Sequence, residues 1–425
     1  MRTAIQSIKG TRDFYPEDMA LRSWLHDMVR RVSESFGYQE YDAPLIESIE
    51  LYAAKSGEEL VKEQSFVFPD RGGDLIALRP ELTPSLARMV AQRQQALAYP
   101  LRWWSWGPFW RYESPQKGRG REFYQWNIDL IGPDSPEADA ELVAIAATFF
   151  REAGVSTSDV SILVNDRRLI NGELARLGVA PEARMAALRL IDRRDKLPGD
   201  EWRRHGLSLG LGEEQLDGLE AVLADHDLWR KSPEMERFFA AIEAHGLGPW
   251  VRYAPHVIRG LQYYTGTVFE AWDLAGEFRA LFGGGRYDDL VADVGGERLP
   301  GVGFAMGDMV AGLLLRKLGR VPDDLGRSRA EVLVTVFDAA LQAASLALAA
   351  ELRATGLRVA TYPEPTRLAR QLKYADRTGI AVAAVLGPDE LAGGTVALKD
   401  LRRGQQQAAP RAEAAEAVRR LLAGD

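Results

Sequence analysis

The chain has no cysteine and only five histidines. Without thiols neither a disulfide framework nor a thiolate metal site can form, and His26, His205, His226, His245 and His256 never fall at ligand spacing. A dedicated protein metal site is therefore not expected. Long apolar runs are missing as well. No window approaches the roughly 20 apolar residues that span a bilayer, and the opening MRTAIQSIKGTRDFYPEDMA lacks the apolar core of a secretory signal. A cytoplasmic protein without a membrane segment is expected. Net positive charge is also absent. The formal charge of −8 argues against a surface coated in basic residues, although local basic patches can still meet nucleic acid. There is no repeat period, and the longest low-complexity block is the Gln/Ala stretch at 405–409.

What is present is ordinary globular text: 425 residues, 46% hydrophobic and 27% charged, which is enough for two or three self-sufficient domains. Residues 16–36 place Leu21, Trp24, Leu25, Met28, Val29 and Val32 at helical spacing and stop at Gly37, which predicts an amphipathic helix with a glycine end. Between 64 and 132 the pattern changes to short alternating runs at 65–68, 75–78, 101–106 and 123–131, separated by Gly and Pro. Antiparallel strands are expected there. From about 166 to 239 the text is helical and charged, and strand-like runs return at 251–253 and 268–272, so the middle reads as an insertion into a sheet domain. A Gly/Pro/Asp/Arg-rich junction, KLGRVPDDLGRSRA, begins at 317. Beyond it strands and helices alternate on short loops, as in a small α/β domain. The expected organisation is a sheet domain of residues 1–165 and 240–318, a helical insertion of 166–239, a linker of 319–327 and a last domain of 328–425.

Four stretches could carry chemistry. In residues 109–129 (FWRYESPQKGRGREFYQWNID), Arg111 and Glu113 end one apolar strand, a basic loop follows, and Phe123 begins another. Such a hairpin can lay an arginine on a phosphate and an aromatic ring on a base, with Lys117, Arg119 and Arg121 reaching polyphosphate or nucleic acid. Taken alone it reads as a solvated hairpin, because each piece is common. In residues 257–270 (VIRGLQYYTGTVFE), Arg259 could stabilise a transferring phosphoryl centre. Tyr263 or Tyr264 could bond a small polar substrate, or the pair could be core aromatics on a strand. The three glycines of residues 282–288 (FGGGRYD) permit close backbone approach, but by themselves read as a turn. Residues 78–83 (LRPELT) set a carboxylate and a hydroxyl beside a rigid proline, either to hold an amino group or as simple helix capping.

These four stretches, together with KGTRDFYP at 9–16, resemble the histidyl-tRNA synthetase family in order and separation. Residues 37–44 (GYQEYDAP) look like motif 1 of class II aminoacyl-tRNA synthetases, and 111–129 look like motif 2. The segments at 371–379, 386–390 and 394–401 are similar to the family's anticodon-binding domain. The resemblance implies a class II catalytic domain on a mixed, mainly antiparallel sheet, a helical insertion, and a C-terminal α/β anticodon-binding domain. It implies activation of L-histidine with ATP and Mg²⁺, transfer to tRNA(His), and a homodimer formed through motif 1. Position by position it puts Glu81, Thr83 and Gln125 around the histidine amino group, Asp129 and Tyr264 near the imidazole, and Tyr263 in the same pocket. It puts Arg111 and Arg259 on the α-phosphate as the catalytic residues, Glu113 and Phe123 around adenine, and Arg119 toward the outer phosphates.

Three departures accompany the resemblance. Gln262 stands where the family usually has aspartate, Asp129 is a shorter carboxylate than usual, and Val310 in GVGFAMGDMV stands where motif 3 has its arginine. The rival reading is a non-catalytic paralogue that binds histidine as a regulatory subunit of ATP phosphoribosyltransferase. Trp103, Trp104, Trp106 and Trp110 read as core packing on adjacent strands. The insertion's basic residues Arg184, Arg189, Arg193, Arg194, Lys196, Arg203 and Arg204 fit either a tRNA-facing patch or a solvated helix face.

Overall fold

The computed structural model describes residues 5–53, 64–194, 197–259 and 263–424. Its strands, in chain order, are β1 (Gln39–Glu40), β2 (Ile46–Ser48), β3 (Phe66–Pro69), β4 (Leu75–Leu78), β5 (Leu101–Trp110), β6 (Glu122–Ile131), β7 (Val160–Asp166), β8 (Val251–Tyr253), β9 (Thr267–Asp273), β10 (Phe282–Tyr287), β11 (Gly301–Gly307), β12 (Val332–Val334), β13 (Val359–Thr361), β14 (Val382–Val385), β15 (Thr395–Asp400) and β16 (Gln405–Pro410). Contacts divide the chain into two compact units, Met1–Tyr15 with Leu21–Pro322, and Pro16–Ala20 with Asp323–Asp425.

The first unit is built on an eight-stranded sheet in the order β1-β5-β6-β11-β10-β9-β7-β8. Only the β1/β5 and β7/β8 pairs are parallel; the other neighbours run antiparallel. Strand alternation sorts the side chains of β6. Trp126, Ile128 and Leu130 enter the main core, while Phe123, Gln125, Asn127 and Asp129 share the opposite face. The helix Pro136–Glu152 covers the core face. Its Ser135 cap accepts from the Ala138 amide, and Phe149 packs on Trp126 and Phe150 on Phe282 at centroid distances of 5.6 and 6.1 Å. The helix Pro16–Ser35 adds Leu25, Met28, Val29 and Val32 to the same core, and Gly37 follows at φ +79°, as the glycine stop requires. Trp104 is fully buried and, with Trp106, packs against His26, so this part of the tryptophan cluster is packing.

Five helices, Arg167–Arg176, Pro181–Asp192, Gly199–Ser208, Glu213–Ala224 and Pro233–Ala244, fill the middle of the described chain. They run from the end of β7 to just before β8, two strands paired with each other at the sheet edge, so the helical text carries on past 239 to Ala244. The glycine-rich 282–288 stretch is a central strand, not a turn. The Gln/Ala stretch is likewise strand β16, whose partner β15 supplies the register and hydrogen bonds that composition alone conceals. In the second unit β13-β12-β14 run parallel and β15 and β16 extend the sheet antiparallel. The helices Gln342–Ala354 and Ala414–Ala423 pack against Val332, Val334, Val382 and Leu398, while Ala375 of the helix Leu368–Thr378 joins Leu333 and Ile380 in a separate cluster.

Candidate functional site

The sheet face left open by the helix Pro136–Glu152 carries a cavity of about 640 Å³. All eleven residues that the resemblance assigns to the site line it: Glu81, Thr83, Arg111, Glu113, Arg119, Phe123, Gln125, Asp129, Arg259, Tyr263 and Tyr264; Lys117 and Arg121 of the same basic loop do not. They come from three separate stretches, 78–83, 109–129 and 257–270, and the sheet is what brings them together.

One group of side chains is carboxylate and phenol. Tyr263 donates to Glu81 at 3.5 Å, its ring meets that of Tyr264 at 4.9 Å and that of Tyr287 at 6.2 Å, and Tyr287 donates to Asp129 at 2.5 Å. Burial pushes Asp129 up to about 7, and the Tyr287 hydrogen bond opposes that rise by favouring the carboxylate. Burial also raises both Tyr263 and Tyr264, so these hydroxyls stay protonated donors. Thr83 does not cap its helix Thr83–Arg93, whose cap position is Leu82 with no side-chain bond; the capping alternative for LRPELT therefore fails. In the same stretch Arg79 is wholly buried and ties Asp42, the Ala43 carbonyl and the Pro108 carbonyl together at 2.6, 2.9 and 3.0 Å. It is scaffold.

The second group is cationic and aromatic. Arg111 donates to the Pro80 carbonyl at 3.0 Å and lies 5.3 Å from the Phe123 ring centre, and Arg119 pairs with Glu113 at 2.7 Å. The loop between them is shaped by reciprocal backbone bonds of Gln116 and Arg119 around Gly118, which takes φ +76°. The N-terminal KGTRDFYP text holds this loop in place. The Gly10 carbonyl accepts from Arg121, and Arg12 pairs with Asp308 at 2.8 Å while Asp308 accepts from the Tyr124 amide.

Arg259 joins the two groups. It sits at φ +60°, unusual for a side-chain-bearing residue, and pairs with Glu270 at 3.1 Å; Trp272 fixes the other oxygen of that carboxylate at 2.8 Å. Its charge acts on Tyr263 and Tyr264 on one side and on Arg279 of the cationic group on the other. The local backbone is held by buried Arg167, which donates to the carbonyls of Ile258, Arg259 and Tyr264 at 3.1, 2.8 and 2.8 Å. Room for the guanidinium comes from Gly283, where a Cβ would stand 2.1 Å from Arg259 Cζ. Gly303 does the same for Asp129, whose Oδ1 would be 2.1 Å from a Cβ there.

Sequence reasoning missed Asn127, Tyr287, Arg167 and Arg279. Asn127 was recoverable, since it lies midway between Gln125 and Asp129 on an alternating strand. Tyr287 follows Gly283 and Gly285 at the same period once residues 282–287 are known to be a strand. Arg167 and Arg279 left no local signal. Arg286, in the same glycine-rich text, is outside the cavity: buried, it grips Asp139 at 2.6 Å and the carbonyls of Pro133 and Ser135. Gln262 and Lys196 lie outside the described residues. Of the other basic insertion residues, Arg189 lines the cavity, Arg203 pairs with Glu213, Asp217 and Glu220, and Arg194 lies over the Trp202 ring. Val310 is buried at the cavity wall, 3.1 Å from where a Cβ on Gly118 would stand.

The fold is that of the class II aminoacyl-tRNA synthetases: a mainly antiparallel catalytic sheet with a separate anticodon-type α/β unit. Within that class the chain belongs to the histidyl-tRNA synthetase family, whose model matches residues 10–308, and an anticodon binding domain model matches residues 331–421. The histidine–tRNA ligase of Halobacterium salinarum is 40% identical over 416 residues, 95% of each chain. That of Opitutus terrae is 38% identical over 437 residues, 99% of each. A crystal structure of histidyl-tRNA synthetase from a Nostoc species superposes with TM-score 0.83 at 26% identity, covering 99% of this chain and 100% of that one.

Proposed function

We infer that this chain is a histidine–tRNA ligase, activating L-histidine with ATP to histidyl-adenylate and transferring it to tRNA(His). Relatives carrying that name align along nearly the whole chain, and nothing in the comparisons favours the regulatory paralogue. The observation that carries the site assignment is the order of groups along the cavity: carboxylates and phenols, then Arg259, then the arginines beside Phe123.

In this reading Glu81, Thr83 and Gln125 take the histidine amino group, and Asp129 and Tyr264 accept and donate at the imidazole, with Tyr263 closing the pocket. Glu113 and Phe123 hold adenine, and Arg119 meets the outer phosphates. The histidine carboxylate oxygen attacks the α-phosphorus, the bond to pyrophosphate breaks, and negative charge grows on the α-phosphate oxygens. Arg111 and Arg259 meet that charge with donors already in place; Arg259 Nε is buried with no partner among the described residues, a donor free for this use. No protein nucleophile is required. Mg²⁺ supplies countercharge to the polyphosphate. Among the described residues no group of three or more His, Asp or Glu side chains is gathered to hold a metal, so its ligands would include phosphate oxygens. A ribose hydroxyl of the tRNA then attacks the activated carbonyl and AMP leaves.

Residues 328–425 are assigned to anticodon contact. Arg367, Arg370, Lys373, Tyr374 and Arg377 are exposed on or beside one helix of that unit, a basic and aromatic surface suited to unstacked bases and their phosphates. Buried Gln371 anchors that helix through the Val336 amide and carbonyl. Dimerisation is assigned to residues 37–44 and the helix before them. Histidine-dependent pyrophosphate exchange, followed by charging of tRNA(His), tests the reading. Exchange with another amino acid, or histidine binding with neither exchange nor charging, would refute it.

A further inference from the structure

Arg279 lies on the connection between β9 and β10 and lines the cavity, as do the next four residues through Gly283. The connection is tied to the basic loop, since Lys117 sits 5.1 Å from the ring centre of neighbouring Phe278. The three other arginines named in the cavity's phosphate half each have a holder: Arg111 the Pro80 carbonyl, Arg119 the Glu113 carboxylate, Arg259 the Glu270 carboxylate. Arg279 has no hydrogen bond or ion pair with any described residue, and solvent reaches it. Partial desolvation at the cavity mouth, then the charges of Arg119, Arg111 and Arg259, hold its pKa below the ordinary guanidinium range, with Glu113 pulling the other way. A fourth cation facing three others is unfavourable until an anion arrives. At the same wall Val310 offers only methyl groups, in a position where the class pattern leads one to expect a cation.

We propose that Arg279 is a phosphate-binding residue of this site, contacting the outer phosphates of the nucleoside triphosphate and supplying the positive charge that Val310 does not. The proposal rests on the ligase reading and adds to it a residue that acts on the nucleotide and not on the amino acid. A planar guanidinium with free N–H donors suits a phosphate oxygen pair.

The test is steady-state pyrophosphate exchange on full-length wild type, Arg279→Ala and Arg279→Lys, with folding checked by circular dichroism. Wild type must first exchange with histidine; if it does not, the ligase reading itself fails. Given an active wild type, Arg279→Ala is expected to raise KM for ATP by about 10- to 100-fold, the size of one or two hydrogen bonds to a charged group. KM for histidine should move less than about twofold, well under the factor that one such bond carries, and Arg279→Lys should recover part of the ATP affinity. An unchanged KM for ATP in the folded alanine variant overturns the proposal, as does an equal rise in both KM values, which marks a structural residue.

Discussion

Asp129 is a buried carboxyl whose proton comes off at about pH 7, inside the working range of an enzyme that recognises an imidazole. Its folded pKa lies above the ordinary carboxylate value, so the fold holds this proton more tightly than the open chain does. The resulting stability is fully present below about pH 4 and is lost as pH rises through 7. Tyr287 donates to the ionised form and holds the pKa down. Tyr287→Phe is therefore expected to move the midpoint of the pH profile of kcat/KM for histidine upward. A profile that stays put or moves to lower pH would show that Asp129 does not titrate in binding, and leave the change to the substrate's own imidazole.

At the scale of the element, β10 and β11 work through what their residues lack. Gly283 and Gly303 face the cavity, and the space where each Cβ would be is occupied by Arg259 and Asp129 respectively. Gly283→Ala pushes on the far end of a flexible side chain, so the strand should persist while adenylate formation falls by about 10²-fold or more, as for loss of a preorganised donor. Gly303→Ala would also meet the Ile128 carbonyl oxygen at 2.8 Å, so it should raise KM for histidine and lower the melting temperature as well. Single-turnover kinetics beside a thermal melt separate the two, and equal effects on both substrates would refute the division. Strand β10 also carries Arg286, which joins it to the helix Pro136–Glu152 through Asp139; both side chains are about 1% exposed. Arg286→Ala strands a buried carboxylate and should cost about 3 to 5 kcal/mol in denaturant unfolding, and much of that should return in the Arg286→Leu, Asp139→Leu double variant.

For the whole molecule, every residue assigned to activation lies before Pro322, where the first compact unit ends. A fragment ending there should still support histidine-dependent exchange but lose charging efficiency by about 10²-fold or more, the scale on which a linked second binding surface raises avidity. Full charging by the folded fragment would remove the RNA-binding role from the second unit. Light scattering of the intact protein at micromolar concentration should return twice the mass of one chain; a single-chain mass would count against residues 37–44 as a dimer element.

Much of this protein was legible in the sequence, because local pattern carries local structure. The alternation of EFYQWNIDLI is strand β6 with its two faces already sorted, and the helical spacing of Leu25, Met28, Val29 and Val32 is the buried stripe of the first helix. The absence of cysteine and of long apolar runs ruled out disulfides and spanning helices by composition alone. Other features needed partners distant in the chain. Strand β16 reads as low complexity until β15 lies beside it, and FGGGRYD reads as a turn because nothing local says that Arg259, Tyr264 and Phe304 fill the space its glycines leave. Asp129 owes its proton affinity to burial and to a tyrosine 158 residues away, and Arg279 meets Arg111 and Arg119 only because β9 and β10 bring it there. Periodicity reports which face a side chain takes; the charge environment and the free space around that side chain depend on non-local packing, and only the tertiary structure decided them.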